Sequence, residues 1–159
     1  MIRKAEMADL DRLTEIENIC FPSAEAAGRE ALEQRLLAFP LHFWVMEEDG
    51  LVIGFINGMA TDEPVIADVM FENAFLHKAD EQWQSVFGLD VLPAYRGRGY
   101  AAQLMQALIA DARAAGRRGC ILTCKEHLLH YYEKFGYRSL GISDSQHGGA
   151  QWYDMVLEF

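Results

Sequence analysis

The residues with the clearest capacity for chemistry form one short stretch, Val91-Leu92-Pro93-Ala94-Tyr95-Arg96-Gly97-Arg98-Gly99-Tyr100-Ala101. It lies between a segment that reads as a strand and the strongest helical pattern in the chain. Glycine lets backbone amides approach a ligand closely, and a helix starting just beyond offers unpartnered N–H groups and the positive end of its dipole. Both favour an anion of phosphate type, and Arg96 and Arg98 add local positive charge. A loop that needs glycine only for its turn has the same composition, so the spacing has to discriminate.

Three spacings compete. A nucleoside-triphosphate loop ends in Gly-Lys-Ser/Thr, whereas this one ends in Gly99-Tyr100-Ala101, which excludes it. Gly97 to Ala102 matches the dinucleotide fingerprint Gly-x-Gly-x-x-Ala, with Glu126 at roughly the separation expected for a ribose-binding acid. Against that reading, Leu92 to Arg96 separate the strand from the first glycine, and too little chain follows for a doubly wound sheet.

The third pattern is a resemblance. Arg96-Gly97-Arg98-Gly99-Tyr100-Ala101 resembles the Arg/Gln-x-x-Gly-x-Gly/Ala acetyl-CoA motif of the GNAT N-acetyltransferase superfamily, approached through Val91-x-Pro93. Cys124 to Tyr137 resembles the same superfamily's late helix and its Tyr-x-x-x-Gly-Phe/Tyr end. Within the superfamily the chain is similar to the arylalkylamine (serotonin) branch, also in Cys20-Phe21-Pro22, Glu25-Ala26-Ala27 and Leu51 to Gly58. The resemblance implies an α/β (α+β) GNAT fold: one mixed, mostly antiparallel sheet of about six to seven strands, helices on both faces, and a splayed central strand pair. It implies acetyl-CoA as cosubstrate. Its pantetheine arm would lie in the splay, held by backbone groups near Leu89, Asp90 and Val91, and its pyrophosphate on the amides of Arg96, Gly97, Arg98, Gly99, Tyr100 and Ala101.

Direct attack by an amine on the thioester gives an oxyanion that backbone N–H groups of the splayed strand could stabilise, so no nucleophilic cysteine is required. Two proton tasks remain. An alkyl ammonium must lose a proton before attack, and the departing thiolate gains from receiving one. Tyr132 matches the tyrosine that serves the thiolate in the resembling family, while Tyr131 reads as packed. The base positions of that family fall at Ser85 and Phe87, neither of which is an ordinary base. The readings left open are a water chain, with Ser85 as a relay, or an acid from the substrate loop such as Glu25. His77 and His127 are weaker candidates. His127 and His130 share a helix turn but lack an evident third ligand, so no metal site is expected. Phe21, Phe39, Phe43, Trp83 and Phe87 are candidates to line an apolar acceptor pocket, with Phe21, Glu25 and Phe87 the substrate-contacting set.

The elements must place these groups. Apolar spacing predicts a strand over Ile2 to Glu6, a helix capped by Asp9 with Leu10, Leu13, Ile16 and Cys20 inward, and a helix through Leu32, Leu36 and Phe39 stopped by Pro40. His42 to Glu47 and Leu51 to Met59 read as a hairpin about Asp49-Gly50. Thr61 to Asp80 reads as a loop with a helical turn. Gln82 to Val91 follows as one strand, with Trp83, Ser85, Phe87, Leu89 and Val91 on one face. A helix over Tyr100 to Ala115, a strand over Gly119 to Cys124, a helix over His127 to Phe135 and two strands about Gly148-Gly149 complete the order.

With 159 residues, 51% hydrophobic and 24% charged, the chain fits a single domain over residues 1–159 with a buried core. The formal net charge of −10 argues against nucleic acid and favours a cationic amine as the second substrate. No run is long and apolar enough to span a bilayer, and the start lacks a leader pattern, so a cytoplasmic, soluble monomer or homodimer is expected. Cys20, Cys120 and Cys124 lack Cys-x-x-Cys spacing and read as reduced thiols. The expectation is an acetyl-CoA-dependent N-acetyltransferase acting on a small (aryl)alkylamine or polyamine. The alternatives are a non-catalytic acyl-CoA sensor and, more remotely, a dinucleotide-binding protein.

Overall fold

A computed structural model describes residues 1–159. Its strands are β1 (Ile2–Lys4), β2 (Phe43–Glu48), β3 (Leu51–Asn57), β4 (Ala60–Thr61), β5 (Trp83–Val86), β6 (Gly88–Val91), β7 (Gly119–Cys124), β8 (Arg138–Ile142) and β9 (Tyr153–Glu158). Its helices are α1 (Leu10–Cys20), α2 (Arg29–Ala38), α3 (Asp68–Glu72), α4 (Tyr100–Ala114) and α5 (Leu129–Glu133). None is long and apolar enough to cross a membrane.

The strands form two sheets, in the orders β1-β2-β3-β6 and β4-β5-β7-β9-β8, and only β5 and β7 run parallel. The expected single sheet is thus opened at its splay. The cause is local to Phe87: β6 pairs with β3 from Asn57↔Gly88 to Gly54↔Val91, while β5 pairs with β4 from Ala60↔Gln84, one residue out of step. The extra residue is a bulge, and because side chains alternate with period two, it flips the faces beyond it. Trp83 belongs to a core cluster with Ile121 and Phe39, and Phe87 packs against it, but Leu89 and Val91 join the opposite core under α4. The one-face reading of Gln82 to Val91 therefore fails past Phe87.

Three cores result. The largest sets Leu104, Met105, Leu108 and Ala112 of α4 against Ile53, Val91, Leu122 and Met155. Truncating Leu108 there to alanine should cost about 2–5 kcal/mol. The second packs Leu10, Leu13 and Ile16 of α1 and Leu32 of α2 onto Phe43, Val45 and Phe55. Asp9 stands at the start of α1, but its carboxylate pairs with Arg3 and accepts from the Glu6 N–H instead of capping the helix.

Candidate active site

The loop ahead of α4 presents backbone. Gly97 (φ +79°) and Gly99 (φ +82°) occupy the left-handed region, where a side chain is strained. A Cβ built on Gly97 meets nothing within 4 Å, and one on Gly99 meets only Gln103 Nε2 at 4.0 Å, so space in front of the loop is open. The first hydrogen bond into α4 runs from the Gln103 N–H to the Gly99 carbonyl, leaving the amides ahead of it without intrahelical acceptors. Arg96 donates through Nε to the Val91 carbonyl at 2.9 Å, which ties the loop to the end of β6. Arg98 lies over the Tyr95 ring at 5.2 Å, and the Tyr100 hydroxyl bonds Glu48.

Between β6 and β7 the sheets part. Antiparallel pairing alternates inward and outward backbone groups, and Leu92 donates to Ile53, so Asp90 faces its partner Phe55 while the backbone groups of Leu89 and Val91 turn to the gap. This differs from the expectation that Asp90 shares that duty. A cavity of about 840 Å³ opens there, bordered by Leu89 on one strand and Leu122, Thr123 and Cys124 on the other. Tyr132 of α5 reaches the same cavity, with its ring edge-on to Tyr131 at 5.1 Å. Burial pushes its phenol above the usual range, with smaller contributions from Cys124, Tyr131 and Asp90, so it is protonated and able to donate at neutral pH.

At the other end, Phe21, Glu25 and Phe87 line the cavity. Glu25 pairs with Lys125 at 2.9 Å. Phe39, Phe43 and Trp83 do not reach the cavity and lie in the cores. Ser85 has no exposed surface, and its hydroxyl donates to the Met59 carbonyl at 2.8 Å, so it does not border the cavity as a relay would. His77 accepts from the Ala60 N–H through Nδ1 at 2.9 Å, and burial lowers it to about 4, which makes it a structural acceptor. His127 lies in a separate shallow depression, and His130 is beside Glu133 at 3.7 Å.

Several cavity residues have no periodic or motif signal in the sequence. Phe71, on α3, lies 5.1 Å from the Phe87 ring, and His147 stacks near Phe71 and Trp152 while its Nε2 contacts the Glu25 carbonyl oxygen at 2.8 Å. Thr123 adds a hydroxyl to the cavity from β7. Glu17 and Arg35 enter from α1 and α2, and both are nearly sealed from solvent. An acid and an arginine on otherwise apolar helix faces are the one signal that could have found this pair.

Comparison with known proteins agrees with this fold. The chain spans about a third and about two fifths of the two curated relatives it matches. One is "Probable hydrolase YhcX" of Bacillus subtilis (strain 168), 26% identical over all of this chain and 32% of that protein. The other is "Probable N-acetyltransferase family 8 member 5" of Mus musculus, 26% identical over 62% of this chain and 39% of that protein. A solved structure, "GphF GNAT-like decarboxylase in complex with isobutyryl-CoA", shares the fold with a TM-score of 0.85 at 21% identity, over 99% of this chain and 98% of that one. The model described as "Acetyltransferase (GNAT) family" matches residues 10–137, from the start of α1 through the glycine loop to Tyr137 beyond α5. The chain therefore belongs to the GNAT acetyltransferase family.

Proposed function

We propose that this protein is an acetyl-CoA-dependent N-acetyltransferase acting on a small primary amine. The observation that carries the reading is the open glycine loop that follows β6, the strand whose Leu89 borders a cavity that Tyr132 also lines. The cosubstrate supplies an acetyl group already activated as a thioester. Arg96, Arg98 and the amides from Gly97 to Ala101 bind its phosphates, where glycine leaves room and the helix end favours an anion. The gap-facing backbone of Leu89 and Val91 holds the pantetheine arm as an added strand. Tyr132 donates its proton to the departing sulfur. Phe21 and Phe87 orient the apolar part of the amine, and the acidic protein surface attracts its charge. Whether that amine is of the aryl kind is decided at Phe21, Phe71 and Phe87.

Thermal stabilisation by acetyl-CoA and not by NAD tests the cofactor assignment. Release of free thiol with tryptamine, tyramine, putrescine or spermidine then tests the transfer. Stabilisation with silence toward every amine favours the sensor.

A second reading is decarboxylation of a carboxylated acyl-CoA. It is favoured by the burial of Ser85, which leaves the strand without a cavity-facing base, together with the name of the GphF structure. There the bond to the carboxylate breaks, carbon dioxide leaves and a proton takes its place, so no amine takes part. Conversion of malonyl-CoA to acetyl-CoA without thiol release would establish it over the first.

A further inference from the structure

Beneath Gly88, at the acceptor end of the cavity, α1, α2, β3 and β6 bury a polar cluster: Glu17, Arg35, Asn57 and Asp90, none more than 6% exposed. A Cβ on Gly88 would stand 3.2 Å from Asp90 Oδ1, 3.7 Å from Asn57 Nδ2 and 3.7 Å from Glu17 Oε1, so all three converge on one point. Arg35 donates from Nη1 to Asn57 Oδ1 at 3.3 Å, but its Nε finds no acceptor. Glu17 Oε2 accepts from the Ala27 N–H at 2.8 Å. Neither oxygen of Asp90 has an N–H or O–H donor, and the Glu17 carboxyl converges with it beside Gly88. Two carboxyl groups can bond each other only through a proton that one of them carries, and two charges in such a site would repel strongly.

We propose that Glu17 and Asp90 share one proton and that Glu17, the member bordering the cavity, accepts the proton the ammonium must lose. Asp90 is the positioning residue. The inference rests on the transferase reading given above and supplies the base that Ser85 and Phe87 lack. The groups facing the pair are Arg35 from α2, Cys20 from α1, and Tyr132 from α5. Burial first, and then Glu17, raise Asp90 well above the usual carboxylate range, while Arg35 opposes the rise. The proton balance closes. Of the two protons the nitrogen loses, one passes to Glu17 and on to solvent through the cavity. The other restores Tyr132 after the phenol has protonated the sulfur as the carbon–sulfur bond breaks and the carbon–nitrogen bond forms.

Two measurements on the full chain test this. In carboxyl-13C-labelled protein, one side-chain carboxyl should titrate well above the usual carboxylate range, and Asp90→Asn should abolish that titration; if no carboxyl titrates there, the proposal is overturned whatever the activity. In kcat/KM against pH with tryptamine and acetyl-CoA, the wild type should level off once the pair is down to its one shared proton. Glu17→Gln should fall about a hundredfold at neutral pH and keep rising toward the pKa of the free amine. A Glu17→Gln profile that is lowered but unchanged in shape reduces Glu17 to a structural role and overturns its role as base. Carboxyl titration without thiol release from any amine overturns the transferase reading. Thiol release without the titration overturns the proton pair alone.

Discussion

At the glycine loop ahead of α4 the chain offers backbone: two glycines in the left-handed region, a helix terminus with free amides, and open space in front. Beside the cavity it offers side chains, with Glu17, Arg35 and Asp90 drawn from three elements and nearly sealed from water. The first region needs only a correct local turn, so eleven consecutive residues from Val91 to Ala101 contain it. The second exists only where α1, α2 and β6 meet, and each of its charges is tolerable because of the others. On the proposed reading the first recognises a ligand of fixed chemistry through the main chain. On the same reading the second could change its specificity by single substitutions.

The contrast can be broken most severely at the glycine loop. Gly99→Glu forces a side chain into φ +82° and brings a carboxylate toward bound phosphates, so acetyl-CoA binding should be lost by calorimetry. An unaltered dissociation constant would contradict the loop assignment. Tyr132→Phe, at the junction of the two regions, should lower kcat by about ten- to a thousand-fold with little change in acetyl-CoA affinity. Unchanged turnover would remove Tyr132 from the chemistry.

The buried cluster responds to pH. The folded state holds a proton on Asp90 over a range where the unfolded chain releases it, from about pH 4 upward. Stability contributed by that proton is complete below about pH 4 and is lost as pH rises through the raised pKa of Asp90. Asp90→Asn should flatten this decline in urea midpoints measured across pH 4 to 9, whereas an unaltered slope would mean that Asp90 is ionised in the native protein. The smallest effect is expected at the rim. Lys125→Ala breaks a partly exposed pair with Glu25 and should change stability by less than about 1 kcal/mol, while freeing a carboxylate beside the cavity and lowering KM for a dication such as putrescine. A larger loss of stability would show the rim to be structural.

Most elements are visible in the sequence because their signals are short-range. Leu104, Met105, Leu108 and Ala112 recur at helical spacing, and α4 spans Tyr100–Ala114. Asp49-Gly50 marks a hairpin, and the two residues adopt φ 52° and 77°. Thr61 to Asp80 gave less away: α3 is five residues long, too short for periodicity to show, yet it brings Phe71 to the cavity. Ser85 is instructive in the opposite direction. Alternation alone sets it with Leu89 on one surface, but the bulge at Phe87 separates them, and the Ser85 hydroxyl turns to Met59.

What the amino-acid order determined by itself was the glycine loop, the helix behind it and the tyrosine eight residues beyond Cys124, since local turn chemistry and helical spacing are properties of neighbouring residues. What only the tertiary structure decided was the lining of the cavity and the buried cluster beside it. Whether Ser85, Phe87 or Asp90 meets the cavity depends on one extra residue in a strand register, and whether a buried acid is tolerated depends on Arg35 arriving from another helix. Both are set by packing between elements distant in the chain, where no local spacing records them.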